Sequence, residues 1–188
     1  MATRQIMILV CALALSAPFG DGDVIRSCRA AFGEATGSAG NKAFSVAAVL
    51  FHEEALDRPH DVELQGNLAF VPGKGGSIAI IDVGDPANPK ILWHEHDAQR
   101  LSDAETVLPL GDYLLLGTND LISIDVRDPQ APRFLKTVSD RSRVSRINGM
   151  VKRGDHVFAA SKDGWIDLFD VSDPASPRLV GALNTREN

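Results

Sequence analysis

Apolar and polar positions alternate in short runs along this chain, and one run recurs three times with the same polar tail. Ile80-Ile81 leads into Asp82-Val83-Gly84-Asp85-Pro86-Ala87-Asn88-Pro89, Ser123-Ile124 into Asp125-Val126-Arg127-Asp128-Pro129-Gln130-Ala131-Pro132, and Leu168-Phe169 into Asp170-Val171-Ser172-Asp173-Pro174-Ala175-Ser176-Pro177. The Asp-to-Asp spacing is 43 residues (82 to 125) and then 45 (125 to 170). Asp85, Asp128 and Asp173 each precede a proline, where a carboxylate can accept hydrogen bonds from the backbone two residues on while the proline presets φ for a turn. The second proline keeps the segment out of a central ladder. A cation follows (Lys90, Arg133, Arg178), and then an apolar pair resumes (Ile91-Leu92, Phe134-Leu135, Leu179-Val180). Each copy thus predicts a strand, a rigid polar turn and another strand.

Two further strands precede each phrase. Val62–Gln65, Val107–Leu110 and Met150–Arg153 run into Gly66-Asn67, Gly111-Asp112 and Gly154-Asp155, pairs suited to a two-residue hairpin. Leu68–Val71, Tyr113–Leu116 and His156–Ala160 follow, each ending at a second polar turn: Gly73-Lys74-Gly75-Gly76, Gly117-Thr118-Asn119-Asp120 or Lys162-Asp163-Gly164. The second copy is two residues shorter between its Gly and its Asp, 14 against 16, and the loss falls at this middle turn. No stretch sustains a helical apolar period. Four short strands per repeat of this length form an antiparallel meander that cannot bury both its faces alone, so neighbouring units must stack. The expected fold is all-β and β-propeller-like, with three four-stranded antiparallel blades at about 60–100, 101–144 and 145–188 in an incomplete ring. Phe44–Phe51 reads as one extra N-terminal strand, because Leu50-Phe51-His52-Glu53 parallels Leu92-Trp93-His94-Glu95.

The Ile-Ile-Asp-Val-x-Asp-Pro-Ala-x-Pro phrase, with Gly66-Asn67-Leu68-Ala69-Phe70-Val71 upstream, resembles the LVIVD repeat over roughly residues 60–183. That resemblance implies a β-propeller in an exported or surface protein of bacteria or archaea, with a non-enzymatic role. Family repeats often begin with a His-Asp pair; here the first copy alone has it, as His60-Asp61, and Glu105 and Asn148 stand at the equivalent step, six residues before each Gly. Rings close with about four to eight blades. Three therefore imply a part of a longer propeller, an open arc, or a homodimer completing a six-bladed ring, and the stop soon after the last strand favours the first. In an arc, each end blade would leave an apolar face in water.

Residues 1–20 change the setting. Arg4 is followed by an uncharged apolar run, Ile6–Leu15, and a small-x-small site before Ala17, the order of a secretory signal peptide, too short to span a bilayer. Residues 21–42, rich in Gly, Ala and Ser, read as a flexible leader. The chain is thus expected to be exported to the periplasm, cell surface or exterior, with no stable membrane span after cleavage. Cys11 would leave with the signal, so Cys28 stands alone and no disulfide framework is implied. A net charge of −6 over 188 residues argues against nucleic acid as partner.

Candidate chemistry is sparse. His60, Glu105 and Asn148 start the innermost strands and would lie at the mouth of the central channel, a common place for ligands. His94 and His96 alternate on one strand face and are the candidates for a metal, with His52 nearby in pattern, but no third ligand is evident. Gly73-Lys74-Gly75-Gly76-Ser77 lacks phosphate-loop spacing and reads as a turn. Asp82, Asp125 and Asp170, one per repeat, read as a recurring structural hydrogen bond. The expected role is a binding or scaffold module for a protein or carbohydrate at the cell surface, with no cofactor. The alternative is a metal-dependent oxidoreductase or hydrolase built on the channel residues.

Overall fold

A computed structural model describes residues 46–186. The expected signal peptide, leader and both cysteines lie outside those residues. The described chain contains no helix and forms three separate four-stranded antiparallel sheets, each in simple meander order. Blade 1 is β1 (Glu63–Gln65), β2 (Leu68–Gly73), β3 (Ser77–Asp82) and β4 (Lys90–His96). Blade 2 is β5 (Thr106–Leu110), β6 (Tyr113–Gly117), β7 (Leu121–Asp125) and β8 (Arg133–Val138). Blade 3 is β9 (Ile147–Arg153), β10 (His156–Ser161), β11 (Trp165–Asp170) and β12 (Arg178–Asn184).

The local chemistry read from the repeat is in place. Gly66, Gly111 and Gly154 take φ of 60°, 68° and 57° in the first hairpin turns, a region closed to most side chains. Asp82, Asp125 and Asp170 each accept the amide two residues on, at 2.8, 3.1 and 2.9 Å. Asp85, Asp128 and Asp173 do the same one turn later, at 3.0, 3.0 and 3.1 Å. A β-bulge falls between the third and fourth strands of every blade at the same step, Ile80/Ile81, Ser123/Ile124 and Leu168/Phe169.

Strand alternation assigns each blade one face toward the preceding blade and one toward the following blade. Phe70, Ile78 and Ile80 of blade 1 pack on Val107, Leu114, Leu116, Ile122, Ile124 and Val126 of blade 2. Leu115 and Leu121 of blade 2, with Leu108 and Val138 beside them, pack on Val144, Ile147, Val157, Ala159, Phe169 and Val171. The residues flanking the repeated Asp are therefore core: Ile81, Ile124 and Phe169 are buried, as are Val126 and Val171, while Val83 is half-buried. Polar clamps join the inner strands. Asp61 accepts from Thr106 Oγ1 (2.9 Å), and the Gln65 amide both donates to the Gly111 carbonyl and accepts its N–H.

The extra N-terminal strand is not formed: from Val46 to Arg58 the described chain has no strand. This segment instead crosses the preceding face of blade 1. Leu56 N–H bonds the His52 carbonyl at 3.1 Å, and the turn so closed drives Ala55 and Leu56 against Ala69, Val71, Ala79 and Ile81. Covering a bare apolar face removes more apolar surface from water than adding a fifth strand at the edge. One of the two end faces expected to be open is thus partly filled.

Candidate functional site at the channel mouth

Immediately before each inner strand the chain bends through the left-handed region at a non-glycine residue, Arg58 (φ 53°), Asp103 (φ 54°) and Arg146 (φ 40°). Such residues are uncommon, and here they recur at one blade position, two residues before His60, Glu105 and Asn148. The bends bring those three residues together. Glu105 is the hub. It precedes β5, the inner strand of the middle blade, and is 1% exposed. His60, itself exposed, lies with Nδ1 2.8 Å from the Glu105 carbonyl; a carbonyl only accepts, so Nδ1 carries the hydrogen. The Asn148 amide is surrounded by acceptors, Glu105 Oε2 and the Arg146 carbonyl, and these assign its nitrogen to that side, where it donates to both.

Two lysines complete the site. Lys74 Nζ lies 3.3 Å from Glu105 Oε1 and Lys162 Nζ 2.5 Å from the same oxygen. They belong to the second turns of blades 1 and 3, each eight residues past its hairpin Gly, and their backbone N–H groups bond the carbonyls of Arg58 and Arg146, the left-handed residues of their own blades. The shortened turn of blade 2 holds Asn119 at the equivalent step, so the lysines converge on the middle blade from either side. Sequence reading placed both lysines correctly in turns but missed their role. The available signal was a lysine at one repeat position in blades 1 and 3, flanking the blade that carries Glu105.

Burial works to raise the Glu105 pKa, but the hydrogen bonds and charges of Lys162 and Lys74 outweigh it and hold the carboxyl below its usual range. The group is therefore ionised at neutral pH with donors on both oxygens. It is poorly placed to act as a general acid. Two ammonium groups share the one buried carboxylate oxygen, and the lysine side chains remain 31% exposed.

The histidine candidates do other work. His94 packs at a tilt against His52, at 4.7 Å between ring centroids, and lies 3.9 Å from Glu54, and His96 lies 3.4 Å from Asp57. All three partners belong to the segment over blade 1, so these histidines fasten it. Among the described residues no group of three or more His, Cys, Asp or Glu is placed to hold a metal.

A stacked arc of four-stranded meanders with polar residues at its inner end is the geometry of propeller blades. The family model for the LVIVD repeat matches at residues 59–93 and 151–185, in blades 1 and 3, so the chain carries the LVIVD repeat. No curated protein matches. Among solved structures the chain is similar to a functionally unknown protein from Desulfotomaculum acetoxidans DSM 771, at 9% identity and a TM-score of 0.56, over 66% of this chain and 42% of that one. It is similar also to two computationally designed proteins, Ika8 (14% identity, TM-score 0.52, 67% and 36% covered) and Ika4 (12%, 0.56, 76% and 81%). The chain spans less than half the length of the first two, and the likeness is one of fold.

Proposed function

We propose that the chain is an exported, non-enzymatic binding or scaffold module of the periplasm or cell surface, and that the mouth around Glu105 takes its ligand. The supporting observation is the state of Glu105. A buried, ionised carboxylate with both oxygens occupied fixes the groups around it; here it fixes two lysines at the inner end of three blades. Each ammonium has three donors, and Glu105 uses one of each. The remaining donors of these part-exposed ammonium groups favour a ligand with an anionic group, such as an acidic carbohydrate or an acidic protein segment. The oxidoreductase or hydrolase alternative would need Glu105 free to carry a proton or a metal, and its donors already occupy it.

Titration calorimetry with a uronic-acid oligosaccharide and its neutral counterpart tests the reading. The acidic sugar should bind and the neutral one should not, and a folded Lys74→Met/Lys162→Met variant should lose at least about tenfold in affinity, roughly the 1.4 kcal/mol of one charge-assisted hydrogen bond. Equal binding of both sugars, or a variant that binds as well as the parent, would defeat it. Export is checked by N-terminal sequencing of protein recovered from outside the cytoplasm, with Ala17 expected first.

A further inference from the structure

Ten large apolar side chains are exposed among the described residues, and their distribution is uneven. Two of them, Leu135 and Val180, are the extra residues of β-bulges in β8 and β12. The other eight lie at the two ends of the arc.

Four form the following face of blade 3: Val151 (62% exposed), Phe158 (40%), Ile166 (37%) and Leu183 (53%). They are adjacent in the sheet, since Phe158 pairs with Val151 on one side and Leu168 on the other, and Ile166 pairs with Leu183. Counted from the hairpin Gly or the repeated Asp, their counterparts in blade 2 are Leu108, Leu115, Leu121 and Val138. All four of those pack against blade 3. Blade 1 presents Phe70 and Ile78 at the same steps, and both are fully buried against blade 2. The following face of blade 3 is therefore a blade-receiving surface, position for position.

The opposite end is the preceding side of blade 1. The segment over it buries Ala55 and Leu56 but leaves Val46 and Phe51 exposed, along with Val62 and Leu64 of the blade itself. Val62 is 43% exposed, whereas its counterpart in blade 2, Val107, is 2% exposed.

We infer that the following face of blade 3 docks the blade 1 end of a second copy of this chain, and that two such contacts close a six-bladed ring. One copy supplies both halves of the contact: an unfilled blade face at one end and, at the other, exposed Val46, Phe51, Val62 and Leu64 around the covering segment. Two copies would present six blades, within the four to eight of a closed ring. Contiguous apolar patches of this kind on soluble chains mark interfaces, and a cyclic pair buries both ends of each copy at once. Closure would complete the channel whose mouth carries Glu105.

Size-exclusion chromatography with light scattering on the full exported chain at micromolar concentration tests this. A particle of two copies is expected. Phe158→Glu and Leu64→Glu should each reduce it to monomer with an unchanged circular-dichroism spectrum, since each puts a charge into both contacts. Mixing the two variants should restore a weaker dimer, because the intact blade 3 of one meets the intact blade 1 end of the other. Should either glutamate variant fail to fold, Ile166→Ser and Val62→Ser repeat the test more gently. A parent monomer, an open-ended larger assembly, or a dimer indifferent to change at Leu64 would each overturn the inference; the last would mean that two blade 3 faces pair with each other.

Discussion

Replacing Glu105 with glutamine removes one charge and almost no volume, so it isolates the electrostatic role of the hub. In the native fold the carboxylate takes Lys162 at 2.5 Å and Lys74 at 3.3 Å on one oxygen and Asn148 on the other. Stripping one partner from a fully buried ion pair costs about 3–5 kcal/mol. Here both ammonium groups sit on side chains 31% exposed, so water recovers part of their solvation, and the carbonyl of the introduced amide still accepts one bond. The amide nitrogen of the new side chain would, however, face a lysine or the Asn148 amide, donor against donor. The expected loss is therefore about 2–3 kcal/mol at pH 7. The pH dependence carries the sign. Glu105 has a lowered pKa in the fold, so its contribution is fully present above the ordinary glutamate value, about 4.3, and disappears as pH falls through the lower folded value. Urea melts of parent and variant should differ by a constant amount from pH 7 to about 5 and converge towards pH 3. A difference below about 0.5 kcal/mol at pH 7, well under the cost of one unsatisfied buried group, or one that persists unchanged at pH 3, would refute the assignment.

Ile124, 1% exposed between blades 1 and 2, should cost about 2–4 kcal/mol as Ile124→Ala by lost burial and a cavity, read as a shift in denaturation midpoint. Asp167 is fully buried with Oδ1 unpaired, and burial raises its pKa despite the hydrogen bond from Ser161. Asp167→Asn should therefore gain about 1–2 kcal/mol at pH 7, and the gain should shrink as pH falls through the raised value, a slope opposite to that of Glu105→Gln.

The blades were legible because the repeat writes their local chemistry three times. Turn glycines, Asp-Pro turns and apolar runs each specify a short-range structure, and strand alternation then decides which residues meet a neighbouring blade. His60, Glu105 and Asn148 were legible for the same reason: counting from the hairpin Gly puts one residue of each blade at the same inner corner. What a count from Gly cannot convey is that the second turn of one blade overhangs the inner strand of its neighbour, so Lys74 and Lys162 read as turn residues. The segment before blade 1 misled for a different reason. Its likeness to Leu92-Trp93-His94-Glu95 is a likeness of composition, whereas its place is set by the apolar face it covers and by the turn at His52.

The disagreements among the three copies say more about role than the agreements do. Where Gly, Asp and Pro recur, the requirement is a turn, and the three structures coincide. At one core step on the third strand the copies read Ala79, Ile122 and Asp167, and the last is a buried carboxylate with an unpaired oxygen where the others are apolar. At the channel corner they read His60, Glu105 and Asn148, and at the overhanging turn Lys74, Asn119 and Lys162. If the corner served only to satisfy loop backbone, one residue type would serve all three blades equally well, as Asp does after the third strand. One buried carboxylate that gathers Asn148 and two lysines, with His60 on its backbone carbonyl and cations from both flanking blades but none from the middle one, forms an asymmetric arrangement on a repeating frame. A repeating frame has no structural need of that asymmetry, whereas recognition of one ligand at one place does.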